Sequence, residues 1–368
     1  MGILDGICLN YHFPNFFCRA ADSVTGNKDS ALCLEIYKMK SIVLGFIKIF
    51  LLVVFTACTK GRQINEEGNL VPRTVENDAS LPAINLNGSR FHAETFGNPA
   101  DKMLVILHGG PGSDYRYLLN CKEFANHGYY VVFYDQRGSG LSVRHNKNEY
   151  SVQLMIDDLN AVIAHYRTSP SKKIFLLGHS WGAILATAYI NQYPTAIRGV
   201  VLGEPGGFKW QDIKDYISRA RDFRFSSEAL NDALYPDQFI TGKENEHAIL
   251  DYKLGLLGTT DAAKDNPTGN GAVLPFWRAG AVVNKALFDI GERDEPDWTA
   301  QLSQFTTKVF FAYSERNKAY GLAHAQKVSS AYPNVQLQKI NGAGHDFISF
   351  PAGWADFFPP ALAYLNSL

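Results

Sequence analysis

The chain has 368 residues, of which 46% are hydrophobic, 19% charged and 13% aromatic. That length accommodates one large domain or two medium ones, and the composition suits a globular protein with a substantial core. With 35 Lys and Arg against 36 Asp and Glu, the formal net charge is −1. The sequence contains no basic stripe either, so it gives no indication of nucleic-acid binding.

Residues 1–38 show no clear hydrophobic periodicity and contain three of the five cysteines. The segment that follows Met39 has the layout of a signal peptide, which belongs at the start of a chain. We therefore interpret residues 1–38 as a spurious N-terminal extension. A mature chain that begins at Cys58 would keep Cys121 as its only thiol and could form no intramolecular disulfide.

Residues 39–57 form this signal-like segment: a short positive region, an apolar stretch interrupted by Lys48, and Thr56-Ala57 directly before Cys58. A cysteine after Phe-Thr-Ala resembles the lipobox of bacterial lipoproteins. The alternative is a membrane-spanning helix, but the apolar stretch is short for a bilayer and carries a lysine. We expect a lipid on Cys58, membrane contact through that lipid, and a place in the bacterial cell envelope, facing the periplasm or the exterior.

The remainder of the chain alternates apolar, strand-like runs with helical patterns, which is typical of a parallel α/β sheet. The apolar runs are Met103–Leu107, Tyr129–Tyr134, Lys173–Leu177, Ile197–Leu202, Lys308–Tyr313 and Val335–Ile340, and two helical patterns are Ile156–Tyr166 and Ala183–Gln192. Residues 207–300 contain helical patterns but no buried-strand run. We predict a core from residues 81–206 and 301–368, a helical cap over residues 207–300, and a polar tether over residues 58–80.

A candidate nucleophile, Ser180, lies in the pentapeptide Gly-His-Ser-Trp-Gly between a predicted strand and a predicted helix. A serine hydroxyl needs a neighbouring base to become a nucleophile. On a sharp strand-to-helix turn, glycines on both sides relieve crowding around an exposed serine. The pattern predicts Ser180 as the nucleophile, with His179 packed beside the turn.

A serine nucleophile also needs a base and donors for the oxyanion, and the sequence offers candidates for both. His345 lies in a glycine-rich loop after the last predicted strand, so it is the candidate base. The developing oxyanion needs donors, and the backbone N–H of Trp181 is one. We predict the N–H of Gly110 as the second donor, because Pro111 has none.

Four motifs together carry a family resemblance. They are HGGPG at 108–112, DQRGSG at 135–140, GHSWG at 178–182 and GAGH at 342–345. In this order they resemble the proline iminopeptidase group of α/β-hydrolases, over most of residues 81–368. The resemblance implies an α/β-hydrolase fold, in which a mostly parallel sheet is flanked by helices and a helical cap is inserted between strands. It also implies a serine hydrolase that acts as an aminopeptidase on short peptides, with Asp135 and Arg137 as scaffold residues.

The acid of the triad departs from the family pattern. Such enzymes usually carry an aspartate after the penultimate strand, and here that position holds Asn317. Glu204 follows the strand after the nucleophile, a position that resembles the acid of some haloalkane dehalogenases. We predict Glu204 as the acid, with Asn317 as a neutral orienter or Glu315 as alternatives. Dehalogenase chemistry is disfavoured, because it uses a carboxylate nucleophile where this chain has Ser180.

Two substrate classes fit this predicted triad. An aminopeptidase needs carboxylates that bind the α-ammonium group, and the candidates in the cap are Glu228, Asp232, Glu244, Glu246 and Asp251. A carboxylesterase or lactonase would instead need an apolar acyl pocket, for which the candidates are Phe208, Trp210, Phe276 and Trp277. A third hypothesis is a non-catalytic binding lipoprotein of the envelope. The sequence contains no metal-ligand cluster, phosphate loop or dinucleotide fingerprint, so we expect no metal, no cofactor, and a small-molecule or short-peptide substrate.

Overall fold

The computed structural model describes residues 70–220, 246–258 and 266–368. Eight strands form one sheet: β1 (Ala83–Leu86), β2 (Ser89–Phe96), β3 (Lys102–Leu107), β4 (Tyr129–Tyr134), β5 (Ile174–His179), β6 (Gly199–Gly203), β7 (Val309–Ser314) and β8 (Val335–Ile340). Their order across the sheet is β1-β2-β4-β3-β5-β6-β7-β8. The β1–β2 and β2–β4 pairs are antiparallel and the other five pairs are parallel, which confirms the predicted fold class.

The central strands are parallel and both of their faces are covered, because helices that connect parallel strands pack on the faces of the sheet. Every residue of β4, β5 and β6 is buried, as expected of strands between two layers of helices. One apolar cluster covers each face of the sheet. The last strand, β8, is only partly buried, which fits its place at the edge.

Seven helices flank the sheet or lie above it: α1 (Val152–Tyr166), α2 (Trp181–Gln192), α3 (Trp210–Ala220), α4 (Glu246–Gly258), α5 (Ala281–Asp294), α6 (Gly321–Ser329) and α7 (Pro351–Asn366), within the part of the chain that the structure describes. Turns of 3₁₀ helix cover Tyr115–His127, Lys147–Glu149 and Leu302–Gln304. Helix α1 begins before the predicted Ile156, because the Ser151 side chain accepts a hydrogen bond from the Leu154 N–H at 3.0 Å and caps the helix there.

The helices α3, α4 and α5 lie between β6 and β7 in the sequence. The segment that leaves the core and the segment that returns to it lie side by side. Lys209 pairs with Asp297 in an antiparallel bridge, and the Trp210 N–H donates to the Pro296 carbonyl at 2.9 Å. These contacts close the base of the inserted helices next to the carboxyl end of the sheet.

Residues 70–80, the described part of the predicted tether, pack partly on the core. The side chains of Val71, Thr74 and Val75 are buried, and the Val75 N–H donates to the Leu141 carbonyl at 2.8 Å. The predicted extension, the signal peptide and Cys58 lie outside the described residues. Within the described ranges, none of the helices combines the length and the apolar character that crossing a bilayer requires.

Candidate active site

Ser180 lies on a strained turn between β5 and α2. Its backbone has φ 54° and ψ −121°, a conformation that residues other than glycine rarely adopt. A Cβ on Gly178 would come within 2.3 Å of the Gly182 carbonyl oxygen, and one on Gly182 within 2.0 Å of the Leu107 carbonyl oxygen. Both glycines are therefore required by close packing, and the turn that they permit presents Ser180 at the carboxyl end of the sheet.

Glu204 is fully buried directly after β6 and lies beside the histidine. Its Oε2 is 2.7 Å from the Nδ1 of His345 and accepts a hydrogen bond from the Asn317 Nδ2 at 2.9 Å. Its Oε1 accepts hydrogen bonds from the backbone N–H of Ser314 at 2.5 Å and from the Ser314 Oγ at 2.7 Å. Every oxygen of the carboxylate thus has partners, which offsets the cost of burying the group.

The two alternatives for the acid occupy different environments. Asn317 is buried, and its amide donates to Glu204 and, at 3.2 Å, to the Tyr216 hydroxyl. Glu315 pairs at 2.6 Å with Lys339 and is exposed to solvent. The structure therefore brings together Glu204 and the ring of His345, with Asn317 as a hydrogen-bond donor to the carboxylate.

The loop that carries His345 is held through its main chain. The His345 N–H donates to the Thr268 carbonyl at 2.9 Å, and the His345 carbonyl is 2.8 Å from the Nε2 of His179. The Tyr216 hydroxyl, from the inserted helix α3, lies 3.3 Å from the Nδ1 of His345. Both core and inserted residues position this histidine.

His179 connects three loops around the site. Its Nδ1 is 2.9 Å from the Tyr117 hydroxyl, which itself accepts a hydrogen bond from the Gly109 N–H at 2.7 Å. Burial and the nearby charge of His345 hold the pKa of His179 well below its usual range, so the ring is neutral. We infer that Nδ1 accepts from Tyr117 and that the Nε2–H donates to the His345 carbonyl.

Gly110 and Trp181, the predicted oxyanion donors, line the same cavity as Ser180. The N–H of Trp181 lies in the first turn of α2, where backbone N–H groups have no partner within the helix. Gln136 connects these two segments: its Nε2 donates to the His108 carbonyl at 2.8 Å, and its Oε1 accepts from the Trp181 Nε1 at 2.9 Å. This role of Gln136 was not predicted from the sequence, although the residue lies inside the DQRGSG motif.

The other polar residues of that motif brace the turn after β4. The Oδ2 of Asp135 accepts a hydrogen bond from the Leu141 N–H at 2.8 Å and lies 2.8 Å from the Nδ1 of His92. Arg137 forms a two-bond ion pair with Asp158 at 2.7 and 2.8 Å, and burial raises the pKa of that aspartate. These contacts are internal to the core beneath the site.

An apolar cavity opens beside Ser180. Its volume is about 120 Å³. Aliphatic and aromatic side chains from α1, α2, α3 and α5 form most of its wall, among them Val152, Ile184, Ile213, Ile217, Leu287 and Phe288. Trp210 and Trp298 complete it where the inserted helices join the core.

The predicted aromatic acyl pocket is wrong in its composition. Of its four residues, Trp210 lines the cavity. The ring of Phe208 is buried against Phe311 and Tyr332, at centroid distances of 6.5 and 5.6 Å. The other two residues pack elsewhere: the Trp277 ring contacts His92 and Tyr115, and Phe276 lies against Gly255.

The candidate ammonium-binding carboxylates in the inserted segment are only partly described. Asp251 is buried and forms ion pairs with Arg144 at 2.9 Å and with Arg278 at 2.7 Å, so its charge is already balanced. Glu246 is exposed at the start of α4. The remaining three candidates, Glu228, Asp232 and Glu244, lie outside the described residues.

A group of potential metal ligands also occurs at the site. Ligand atoms of His179, His345 and Asp346 lie within 4.8 Å of one another. Both ring nitrogens of His179 and the Nδ1 of His345 form hydrogen bonds or an ion pair with protein groups. Coordination by these atoms would break the contacts that position the loops, so we interpret the group as a hydrogen-bonded framework.

Comparisons with known proteins agree with this fold. The family model for serine aminopeptidases (S33) matches residues 98–252. The proline iminopeptidase of Thermoplasma volcanium is 35% identical over 99 residues, which is 27% of this chain and 33% of that protein. Epoxide hydrolase B of Mycobacterium tuberculosis is 32% identical over 121 residues, or 32% of this chain and 33% of that protein. The crystal structure of proline iminopeptidase from Mycobacterium smegmatis matches with a TM-score of 0.52 at 17% identity, covering 78% of this chain and 100% of that one.

The sheet topology and these structural similarities define the class of fold: the chain has the α/β-hydrolase fold. At the level of sequence, residues 98–252 match the serine aminopeptidase family model, and stretches of the chain are similar to proline iminopeptidases. The chain spans between a third and a half of the length of the first curated relatives that it matches. The family match at residues 98–252 begins before β3 and ends within α4.

Proposed function

We propose that this chain is a serine hydrolase in which Ser180, His345 and Glu204 form the catalytic triad. The observation that carries the proposal is the 2.7 Å contact between the Glu204 carboxylate and the Nδ1 of His345, beside the strained turn of Ser180. A carboxylate on Nδ1 holds the proton on that nitrogen and leaves Nε2 free to accept one. The buried, fully hydrogen-bonded state of Glu204 suits this fixed role.

The reaction proceeds in two halves. The Nε2 of His345 takes the proton of the Ser180 hydroxyl as the Oγ bonds to the substrate carbonyl carbon. The N–H groups of Gly110 and Trp181 stabilise the oxyanion that forms. When the bond to the leaving group breaks, Nε2 returns the proton to that group and an acyl-enzyme remains. Water then gives its hydroxide to the acyl carbon and its proton to Nε2. As the bond between the Oγ and the acyl carbon breaks, Nε2 returns this proton to the Oγ, and the acid product leaves.

Two substrate classes share this mechanism. The similarity to proline iminopeptidases favours removal of the N-terminal residue of a short peptide. Hydrolysis of a carboxylic ester or lactone is the second candidate, and the apolar wall of the cavity beside Ser180 favours it. In both cases the substrate is a small molecule or a short peptide.

The proposal is tested with a fluorophosphonate probe, which reacts covalently with activated serines. We expect the probe to label the wild-type protein and not the Ser180→Ala variant. Intact-protein mass spectrometry then gives the stoichiometry, and a peptide map gives the labelled residue. A wild-type protein that resists the probe while circular dichroism shows it to be folded would instead support a non-catalytic binding protein.

For the location, we propose that Cys58 is lipidated and attaches the protein to the bacterial cell envelope. The support is the sequence pattern of residues 39–58. Growth with an alkyne-labelled fatty acid would place the label on the wild-type chain and not on the Cys58→Ala variant. Equal labelling of the two chains would contradict this proposal and would leave the proposed reaction unaffected.

A further inference from the structure

The chemistry of the cavity beside Ser180 restricts the acyl group that can enter it. Among the described residues that line this cavity, none has a charged side chain. The lining residues that carry polar side-chain atoms are Ser180, Tyr216 and three tryptophans. The remaining side chains are hydrocarbon or absent, as in Gly110, Gly206 and Gly291.

A substrate with a free α-ammonium group would bring a positive charge into this wall. An ionised group that leaves water for an apolar site is costly unless an opposite charge or several acceptors meet it. Asp251, the one buried carboxylate described on the inserted helices, is held by two arginines and does not line the cavity. Glu204 does not line it either, and it is engaged by His345.

The indole of Trp210 also argues against an ammonium group in this cavity. The six-membered ring of Trp210 lies against Gly291, where an added Cβ would come within 2.3 Å of the indole. The Nε1 of Trp210 is buried without a hydrogen-bond partner among the described residues. An indole N–H can only donate, so it cannot accept a hydrogen bond from an ammonium group.

We propose that the cavity binds an uncharged, apolar acyl group, and that the preferred substrates are carboxylic esters of such acids rather than peptides with a free N-terminal amine. This inference rests on the proposed function, since it names the substrate class of the same triad. It assigns the acyl group to the wall formed by α3 and α5, with Ile213, Ile217 and Leu287 as direct contacts.

The test uses two acyl groups of the same shape. The L-prolyl group and the cyclopentanecarbonyl group differ in one ring position, which is a charged NH₂⁺ in the first at pH 6.5 and a CH₂ in the second. Each acyl group is offered as its 2-naphthyl ester and as its 2-naphthylamide. We expect kcat/KM for the cyclopentanecarbonyl ester to exceed that for the prolyl ester by at least about 100-fold.

The outcomes separate this inference from the proposed function. A preference for either prolyl substrate would overturn the inference and leave the triad proposal intact. Fluorophosphonate labelling of Ser180 without turnover of any of the four compounds would also overturn it. Failure of both labelling and turnover would contradict the proposed function itself.

A matched pair of variants checks that the wall sets the preference. Ile217 is half-buried in α3 and lines the cavity, so it can be replaced there by Glu or by the isosteric Gln. We expect Ile217→Glu to shift the ratio of prolyl to cyclopentanecarbonyl turnover by at least about tenfold towards prolyl, relative to Ile217→Gln. Equal ratios in two variants that both label with the probe would show that the acyl group lies elsewhere, and the inference would fall.

Discussion

The carboxyl ends of the neighbouring strands β6 and β7 contribute to one interaction in opposite chemical roles. Glu204, after β6, provides the negative charge. Ser314 and Asn317, at the end of β7, provide hydrogen-bond donors to it. The resemblance to proline iminopeptidases implies the reverse, with a carboxylate in the place of Asn317.

This difference indicates which property of the site is essential. The Nδ1 of His345 faces one buried carboxylate that is surrounded by donors, and the adjacent strand end supplies those donors. In this chain the charge and its donors thus lie on two adjacent strand ends. A second carboxylate at position 317 would place two negative charges 2.9 Å apart, so the amide there is the necessary partner of the moved acid.

The largest test removes the charge from the β6 end. Glu204→Gln keeps the size of the side chain but cannot stabilise a positive imidazole, so we expect kcat on the cyclopentanecarbonyl ester to fall by up to about 10⁴. Asn317→Ala is the control, and its loss should stay below about tenfold, because the two donors from Ser314 remain. Near-wild-type turnover in Glu204→Gln would show that the acid is another residue.

The next test moves the charge back to the β7 end. The double variant Glu204→Gln with Asn317→Asp restores a carboxylate close to the position of the lost one, because the Asn317 amide lies 2.9 Å from the Glu204 oxygen. We expect its kcat to be about 10- to 100-fold higher than that of Glu204→Gln. The matched control is Glu204→Gln with Asn317→Ala. If the two double variants are equally slow, position 317 no longer presents an acid to His345.

A third test places a carboxyl group at both strand ends at once. In Asn317→Asp the charge of Glu204 raises the pKa of the new carboxyl above its value in the unfolded chain. The folded protein then binds more protons than the unfolded one, so the stability of the variant falls as the pH rises from about 4 through that raised pKa. Each unit of pKa shift corresponds to about 1.4 kcal/mol of unfolding free energy.

The measurement is the difference in Tm between wild type and Asn317→Asp at pH 5 and at pH 8. We expect the difference to widen at pH 8. Asn317→Ala loses the same hydrogen bond without a charge, so its deficit should be equal at the two pH values. A deficit of Asn317→Asp that is independent of pH would mean that the two carboxyls do not face each other.

The smallest expected effect concerns the inserted helix α3. The Tyr216 hydroxyl accepts a hydrogen bond from Asn317 and lies 3.3 Å from the Nδ1 of His345, so it adjoins two of the groups that contact the Glu204 carboxylate. Tyr216→Phe should lower kcat by less than about tenfold with little change in Tm. Tyr320→Phe is the control, since that hydroxyl donates to the Pro205 carbonyl instead. A loss as large as that of Glu204→Gln would make Tyr216 a member of the catalytic group.

Prediction from sequence was accurate where local geometry restricts the residue type. Apolar runs predicted the buried parallel strands, and the two glycines around Ser180 predicted the tight turn. The contact between Glu204 and the end of β7 depends on strand adjacency, since Gly203 lies opposite Ala312 only in the folded sheet. No spacing along the chain encodes that pairing.

The errors lie in the inserted segment and in long-range contacts. Four aromatic residues were predicted to form one pocket, but the direction of each side chain depends on how the helices pack, and only Trp210 lines the cavity. Tyr216 and Gln136 were missed because each acts on residues far away in the sequence. Such contacts leave no periodic pattern that a single sequence could reveal.

The main-chain anchoring of His345 has a consequence for how such sites can diverge. Its N–H donates to the Thr268 carbonyl and its carbonyl lies 2.8 Å from the Nε2 of His179, so the backbone of its loop keeps its place without help from the acid. Loss of the acid from one strand end would therefore leave the histidine loop in place. A carboxylate on a neighbouring strand end could then take over the contact with Nδ1, which makes the acid the replaceable member of the proposed triad.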